Sequence, residues 1–165
     1  MAEAYFYKVL RKKPLTKEQA LQKLRHYCSY QERCHSEVKT KLYQLGITKK
    51  LYDEIISELI QGNYLNEERF ALAFARGKFT MNEWGKRKIE YALREKFISD
   101  YCIKKALKQI PQKEYSEILG KLAKEKYESL KGEQYLARKK KTIDYLTGRG
   151  FEWELVKDAL EYVTN

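Results

Sequence analysis

Proline, glycine and long apolar runs are all scarce in this sequence. Two prolines and eight glycines are spread over 165 residues, and the stretches between them are rich in residues that favour helix. No apolar run is long enough to span a membrane, and the basic start of the chain lacks the apolar core of a signal peptide. We therefore expect an all-α protein that stays in the cytoplasm and makes no membrane contact.

Cysteine is also scarce, and common catalytic motifs are missing. The three cysteines cannot all pair within the chain, so thiols are expected in a reducing compartment. The group His26, Cys28, Cys34 and His35 suits zinc poorly, because His26 and Cys28 point to different faces of a predicted helix. Cys28 and Cys102 are expected in the core and His35 on the surface. Without a phosphate-binding loop or a nucleophile with its base, no metal, cofactor or catalysis is expected.

Positive charge is what the sequence has in excess. The formal net charge is +11, which commonly indicates an acidic partner such as nucleic acid, an acidic protein face or anionic lipid. The excess lies in the first 30 residues and after residue 68, whereas residues 31–68 are slightly acidic. Charge alone does not choose among these partners.

Start and stop signals outline a first helical module. Thr16-Lys17-Glu18-Gln19 has the pattern of a capping box, which predicts a helix from near Lys17. Further helices are predicted from about Ser36 and about Thr48, with Gly46 as a left-handed C-terminal cap between them.

A second module follows the first. Asn66 precedes a helix with acidic residues in its first turn, for which the apolar stripe is predicted to be Phe70, Ala73 and Phe74. The next helix is predicted from Trp84 to Lys96. Trp84 and Trp153 are both expected to take part in packing rather than in base stacking.

One apolar series recurs three times at a period of about 50 residues, which is typical of a helical repeat. Its copies are Leu42, Ile47, Leu51, Tyr52, Ile55 and Ile56, then Leu93, Ile98, Cys102, Ile103, Ala106 and Leu107, and last Leu146, Phe151, Leu155, Val156, Ala159 and Leu160. The series predicts three tandem three-helix repeats in an elongated, modular arrangement. The predicted segments are an N-terminal extension at 1–15 and repeats at 16–64, 65–110 and 111–165.

The second and third repeats resemble the RecX family. Glu68-Arg69-Phe70-Ala71 is similar to the family's acidic-residue-Arg-Phe-Ala signature, and Gly85-Lys86-Arg87-Lys88-Ile89 resembles its Gly-x-x-(Arg/Lys)-Ile element. Lys126-Tyr127, Leu130-Lys131-Gly132, Arg138-Lys139-Lys140-Lys141 and Leu146-Thr147-Gly148-Arg149-Gly150-Phe151 resemble the C-terminal triad in order and spacing. The resemblance runs from about Ala20 to Tyr162. One departure is Phe97, where the family's repeats usually carry glycine.

The resemblance implies a function that composition and periodicity do not. Members of the RecX family bind RecA, settle into the groove of its filament on single-stranded DNA, and restrain strand exchange, ATP hydrolysis and stimulated repressor cleavage. The resemblance therefore implies that this protein regulates RecA in homologous recombination, DNA repair and the SOS response. We expect a monomer that is not an enzyme. Capping of filament ends and binding along the groove both remain open.

Two basic stripes are the candidate surface for a partner or for DNA. Arg87, Tyr91 and Arg94 share one helix face opposite Ile89 and Leu93, and such a face suits phosphate or carboxylate. The full candidate set is Arg69, Lys86, Arg87, Lys88, Tyr91 and Arg94 in the second repeat, and Arg138, Lys139, Lys140, Lys141, Tyr145 and Arg149 in the third. A solvated face without a binding role is the alternative for each residue.

Two other functions compete with this interpretation. The first is a basic helical protein that binds single-stranded or duplex nucleic acid through phosphate contacts without RecA, and the second is a helical scaffold for another protein. Duplex reading by a helix-turn-helix motif is disfavoured, because the third helices of the first and last modules present carboxylates that phosphates repel. These are Asp53, Glu54, Glu58, Glu152, Glu154, Asp158 and Glu161, whereas the middle module presents Lys104, Lys105 and Lys108.

Overall fold

The computed structural model describes residues 15–164, and every regular element in this part of the chain is helical. The helices are α1 (Lys17–Tyr30), α2 (His35–Gln44), α3 (Tyr52–Gln61), α4 (Glu67–Asn82), α5 (Lys86–Glu95), α6 (Asp100–Lys108), α7 (Gln112–Ser129), α8 (Tyr135–Gly148) and α9 (Trp153–Thr164). A 3-10 turn, Lys49–Leu51, precedes α3. The predicted all-α class is confirmed, while the extension predicted at 1–15 lies, except for Leu15, outside the described residues.

The chain divides into two compact units, Met1–Asn66 and Glu67–Asn165. The first unit contains α1 to α3, and the second contains α4 to α9. Within the second unit α4 packs on α5 and α6, and α7 packs on α8 and α9. The helices assigned by sequence to the second and third repeats therefore belong to one unit.

The first unit begins with the predicted capping box. The hydroxyl of Thr16 accepts from the backbone N–H of Gln19 at 3.3 Å, and the Gln19 side chain accepts from the N–H of Thr16 at 3.1 Å. Two helix-start donors are thereby satisfied. Lys17 then bridges to both Glu54 and Glu58 on α3, so these two carboxylates are ion-paired. The core of this unit consists of buried side chains that include Leu24, Val38, Leu42, Ile55 and Leu59.

The second helix of each triad ends in the same backbone turn. A hydrogen bond of 3.2 Å closes it in every copy, from the N–H of Ile47, Ile98 and Phe151 to the carbonyls of Leu42, Leu93 and Leu146 respectively. The residue before each donor is left-handed, with φ of +71° at Gly46, +61° at Phe97 and +90° at Gly150. All positions of the recurring apolar series are buried or half-buried. The three-helix repeat is thus present in both packing and backbone geometry, and Phe97 adopts the conformation of the two glycines.

The prediction for the buried face of α4 is partly wrong. Ala73 is exposed, Phe74 is half-buried, and only Phe70 of the predicted stripe lies in the core. The side chains that α4 buries are Phe70, Ala71, Ala75 and Phe79. Small apolar residues lie all around this helix, so helical spacing alone did not identify its core face.

The predicted start of the next helix is also too early. Gly85 is extended, with φ of −72° and ψ of 161°, and α5 begins one residue later at Lys86. Trp84 therefore precedes the helix, where the ammonium groups of Lys78 and Lys88 lie 4.9 and 4.7 Å from its ring centre. The packing role expected of Trp84 agrees with its half-buried position, whereas Trp153 is 46% exposed.

The cysteines are all buried thiols. Cys28 and Cys102 lie in the core as predicted, and Cys34 is buried as the residue that precedes α2. His35 is half-buried, so its prediction as a surface residue is wrong. Across residues 15–164 no group of three or more potential ligands could hold a metal ion.

Candidate partner-binding surface

Helix α5 carries the stripe of the second repeat on its solvent side. Ile89 and Leu93 are fully buried and hold the helix against its unit, while Arg87 and Arg94 are exposed and Tyr91 is 64% exposed. The spacing of these residues over two helical turns separates the two faces. The three side chains are therefore available to a partner from one direction.

The start of α5 is fixed by the end of α8. The N–H of Gly85 donates to the carbonyl of Arg149 at 2.9 Å, and the N–H of Arg87 donates to the carbonyl of Gly150 at 3.0 Å. The N–H of Lys86 donates to the hydroxyl of Tyr115 at 3.0 Å. Donors at a helix start usually need outside partners, and here the protein itself supplies them. This helix start is consequently a structural joint and not an anion site.

Tyr115 forms the centre of this joint. Its ring is fully buried between Phe79 and Phe151, with ring centres 5.8 and 5.2 Å away, and its hydroxyl donates to the carboxylate of Glu152 at 2.5 Å. Burial, and then the hydrogen bond to Glu152, raise the pKa of Tyr115 above its ordinary range. Glu152 was expected among the exposed carboxylates, and that expectation is wrong because it is a half-buried hydrogen-bond acceptor.

Arg94 already has carboxylate partners within its own unit. Its guanidinium contacts Glu90 at 2.9 Å and Asp100 at 2.9 Å, and the hydrogen bond to Glu90, followed by the field of Asp100, raises the pKa of Arg94. A hydrogen bond with Glu95 likewise raises the pKa of Tyr91. The stripe on α5 therefore includes charges that are partly neutralised before any partner binds.

The other candidates near α5 lie at its edges. Lys86 places its ammonium 4.6 Å from the ring centre of Tyr115 and 3.4 Å from Gln112. Lys88 lies against Trp84, and Arg69 is half-buried on α4. Of the second-repeat candidates, Arg87, Tyr91 and Arg94 are the exposed ones.

Arg69 lies at a groove of about 790 Å³ in the second unit. Leu72, Phe79 and Ile110 are among its apolar lining residues, and Arg69, Arg76 and Glu114 are its charged ones. With charges of both signs in the lining, the groove does not point to one class of ligand.

In the third repeat Arg138 has an internal role. Its guanidinium stacks on Tyr127 with 3.8 Å to the ring centre and donates to the Tyr127 carbonyl at 2.7 Å. A planar guanidinium suits such stacking. Arg138 is half-buried, so its charge faces the body of the unit more than a partner.

Arg149 ties the end of α8 to the turn before α5. It donates to the hydroxyl of Tyr145 at 2.9 Å and to the carbonyl of Asn82 at 2.9 Å, and it lies 3.8 Å from Glu83. These contacts stiffen the same joint that Gly85 closes.

Among the third-repeat candidates, the exposed cations are Lys140 and Lys141. Lys141 forms an ion pair with Glu133 at 2.7 Å, and Lys139 is half-buried with its ammonium 4.8 Å from the ring centre of Tyr135. A hydrogen bond with Tyr135 raises the pKa of Lys139. The third-repeat stripe is thus interrupted, because two of its arginines are used within the unit.

The joint between α5 and α8 was not predicted from the sequence. Gly85, Tyr115 and Gly150 lie far apart in the chain, and their roles depend on close approach of backbone segments. A local signal existed only for the two glycines, each of which follows or precedes a helix. Within residues 15–164, every helix is too short or too polar to cross a membrane.

The second unit matches two domains of a known protein family. The model described as the second three-helix domain of RecX matches residues 66–107, and the model of its third three-helix domain matches residues 113–160. The chain is also similar to the regulatory protein RecX of Bacillus cytotoxicus, with 27% identity over 135 residues, 82% of this chain and 50% of that protein. The chain thus spans about half the length of the curated relatives it matches.

Two solved structures share the fold. The crystal structure of RecX from Lactobacillus salivarius matches with a TM-score of 0.80 and 24% identity, covering 90% of this chain and 96% of that one. A crystal structure of regulatory protein RecX matches with a TM-score of 0.81 and 23% identity, covering 88% of this chain and 73% of that one. At these identities the likeness concerns the fold.

Proposed function

This chain belongs to the RecX family of regulatory proteins, and from that membership we propose that it binds the RecA filament on DNA and restrains its recombinase, ATPase and coprotease activities. The observation that carries the proposal is the match of two consecutive three-helix domains, at residues 66–107 and 113–160, to RecX domain models. The protein would act by occupying the filament and not by chemistry of its own.

Four exposed cations of the second unit are the proposed contacts. Arg87 and Arg94 on α5, with Lys140 and Lys141 on α8, offer donors for carboxylates of the filament or for DNA phosphates. Arg87 is assigned the larger share, because Arg94 and Lys141 would have to leave or share their present carboxylate partners. Arg138 and Arg149 support the surface from within.

The joint between α5 and α8 gives these contacts a fixed geometry. Backbone hydrogen bonds from Gly85 and Arg87, together with Tyr115, leave α5 little freedom to slide against the end of α8. A preorganised surface loses less entropy on binding than a flexible one. We propose that this rigidity lets both triads meet the filament together.

Direct nucleic-acid binding without RecA is the second candidate function. The observation that favours it is the net charge of +11, since counterion release gives basic proteins an affinity for any polyanion. The exposed lysines Lys104 and Lys108 on α6 add to this potential.

A salt series separates the two functions. Anisotropy of labelled single-stranded DNA would be measured with this protein alone and with RecA filament already assembled. RecA-dependent binding should be tighter to the filament than to bare single-stranded DNA at every salt concentration, because RecA adds contacts that bare DNA does not offer. Binding that is equal with and without RecA and that falls steeply with salt would support the nucleic-acid function instead.

A further inference from the structure

Phe97 combines two features that folding does not explain. Its side chain is 85% exposed, and its backbone is left-handed with φ of +61°. A bulky residue in this conformation brings its β-carbon against the backbone, so such positions usually carry glycine or asparagine. Asn63 and Glu83 are also left-handed, but neither exposes a large apolar surface.

The protein's own repeats show what this turn requires. Gly46 and Gly150 occupy the same place in the other two triads, with the same closing hydrogen bonds and φ of +71° and +90°. Phe97 makes that turn as well, with its N–H donating to the carbonyl of Arg94 at 2.9 Å. Glycine is therefore sufficient to form this turn, and the exposed ring of Phe97 adds little packing to it. Strain that the fold does not need is typical of residues kept for function.

Two further exposed aromatic residues lie near Phe97 in the sequence, one on each side of the turn between α5 and α6. Tyr91 on α5 is 64% exposed, and Tyr101 in the first turn of α6 is 67% exposed. We call Tyr91, Phe97 and Tyr101 the aromatic patch. Aromatic side chains dominate the energetic centres of protein interfaces, because they bury a large area with few rotatable bonds.

Ion pairs and additional carboxylates surround Phe97. Arg94 contacts Glu90 and Asp100, and Lys105 contacts Glu68 at 2.7 Å. The backbone N–H of Ser99, two residues after Phe97, donates to Glu67 at 2.6 Å. An apolar centre within a polar rim matches the anatomy of a protein interface. Arg94 is outnumbered by the carboxylates of Glu90, Glu95 and Asp100, and this local excess of negative charge would repel the phosphates of a nucleic acid.

We propose that Phe97 is an anchor that inserts into an apolar pocket of a protein partner, with Tyr91 and Tyr101 bearing on the pocket's rim. The proposal rests on the proposed function in taking the RecA filament as that partner. The patch supplies apolar contact, which complements the cationic contact of Arg87 on the preceding helix.

The test is Phe97→Gly, which installs the residue that the sister turns carry. Because glycine accommodates the positive φ, the melting temperature should stay equal or rise. Affinity for RecA filament assembled on single-stranded DNA should fall roughly tenfold to thirtyfold, as is usual for loss of a central aromatic anchor. Phe97→Leu, which retains an apolar side chain, should lose less. Tyr162→Ala is the matched control, since Tyr162 is 89% exposed on α9 and should not affect binding.

Each other outcome overturns the proposal in a distinct way. Unchanged filament affinity of Phe97→Gly, with wild type binding normally, rejects the anchor and leaves the proposed function intact. No filament binding by wild type rejects the proposed function and the anchor with it. A parallel loss of affinity for labelled oligothymidine without RecA would assign Phe97 to base stacking. Self-association of wild type that Phe97→Gly abolishes would assign the patch to a second copy of this chain.

Discussion

A β-carbon on Gly85 would lie 2.2 Å from the carbonyl carbon of Gly150, so the two residues bring the start of α5 and the end of α8 into backbone contact. Gly150 is also closely packed against α5, since a β-carbon on it would lie 2.3 Å from the β-carbon of Lys88. Position 150 thus requires glycine both because a side chain has no space there and because the backbone is left-handed. The joint that positions the basic face of α5 depends on both residues.

Gly85→Ala is therefore expected to destabilise the protein. The added methyl group meets backbone atoms that cannot move aside, and the cost should be about 1–3 kcal/mol or more in the free energy of unfolding. Chemical denaturation followed by circular dichroism measures it. Gly120→Ala on α7 is the matched control, because nothing lies within 4 Å of its added carbon, and helix propensity should stabilise it by about 0.5–1 kcal/mol. Equal stability of the two variants would contradict the close contact.

Tyr115→Phe should weaken the same joint. It removes the hydroxyl that donates to Glu152 and accepts from the N–H of Lys86, leaving two partly buried groups without this partner. The expected cost is roughly 1–3 kcal/mol at neutral pH, measured by denaturation. A variant as stable as wild type would show that water replaces the hydroxyl at no cost.

The raised pKa of Tyr115 predicts that folding stability depends on pH. Its folded pKa lies above the ordinary value of 10.0, so between these two values the unfolded chain releases the proton while the folded protein keeps it. The unfolded state then binds fewer protons, and stability falls as pH rises. The stability difference between wild type and Tyr115→Phe should be full below about pH 10 and shrink above it. A difference that stays constant to higher pH would argue against the raised pKa.

Substitution of Arg138 should lower stability and substitution of Lys140 should not, although both residues were candidates for one basic surface. Arg138→Ala removes the stacking on Tyr127 and the hydrogen bond to its carbonyl, with an expected loss of about 1–3 kcal/mol in stability. Lys140→Ala removes only an exposed charge and should change stability by less than about 0.5 kcal/mol. Thermal melts of the two variants compare them directly. A stable Arg138→Ala variant would return Arg138 to the set of surface contacts.

The sequence predicted those parts of the molecule that depend on local spacing. The recurring series from Leu42, Leu93 and Leu146 placed the helix pairs correctly, because buried positions repeat with the helical period. The roles of Arg138 and Glu152 were missed, since their partners Tyr127 and Tyr115 lie on a different helix, α7, and become neighbours only through packing. A local charge pattern does not distinguish an exposed arginine from one that is paired within the protein.

The basic face of α5 yields a binding prediction with a charge-matched control. Arg87→Ala with Arg94→Ala should weaken binding to the RecA filament roughly tenfold or more, because charge-assisted hydrogen bonds contribute about 1.5–3 kcal/mol each. Arg87→Ala alone should account for most of the loss, since Arg94 has carboxylate partners already. Lys49→Ala with Lys50→Ala removes two exposed charges from the first unit and should bind like wild type. Equal losses in both double variants would indicate a general effect of net charge.

Regulation of RecA by this chain is tested by the ATPase activity of RecA on single-stranded DNA as this protein is titrated in, from sub-stoichiometric to stoichiometric amounts. ATP hydrolysis should fall progressively, and the Arg87 and Arg94 double variant should need a roughly tenfold higher concentration for the same effect. Circular dichroism would confirm that both proteins are folded. Unchanged ATP hydrolysis at a clear excess of folded wild-type protein would contradict the claim that this chain regulates RecA.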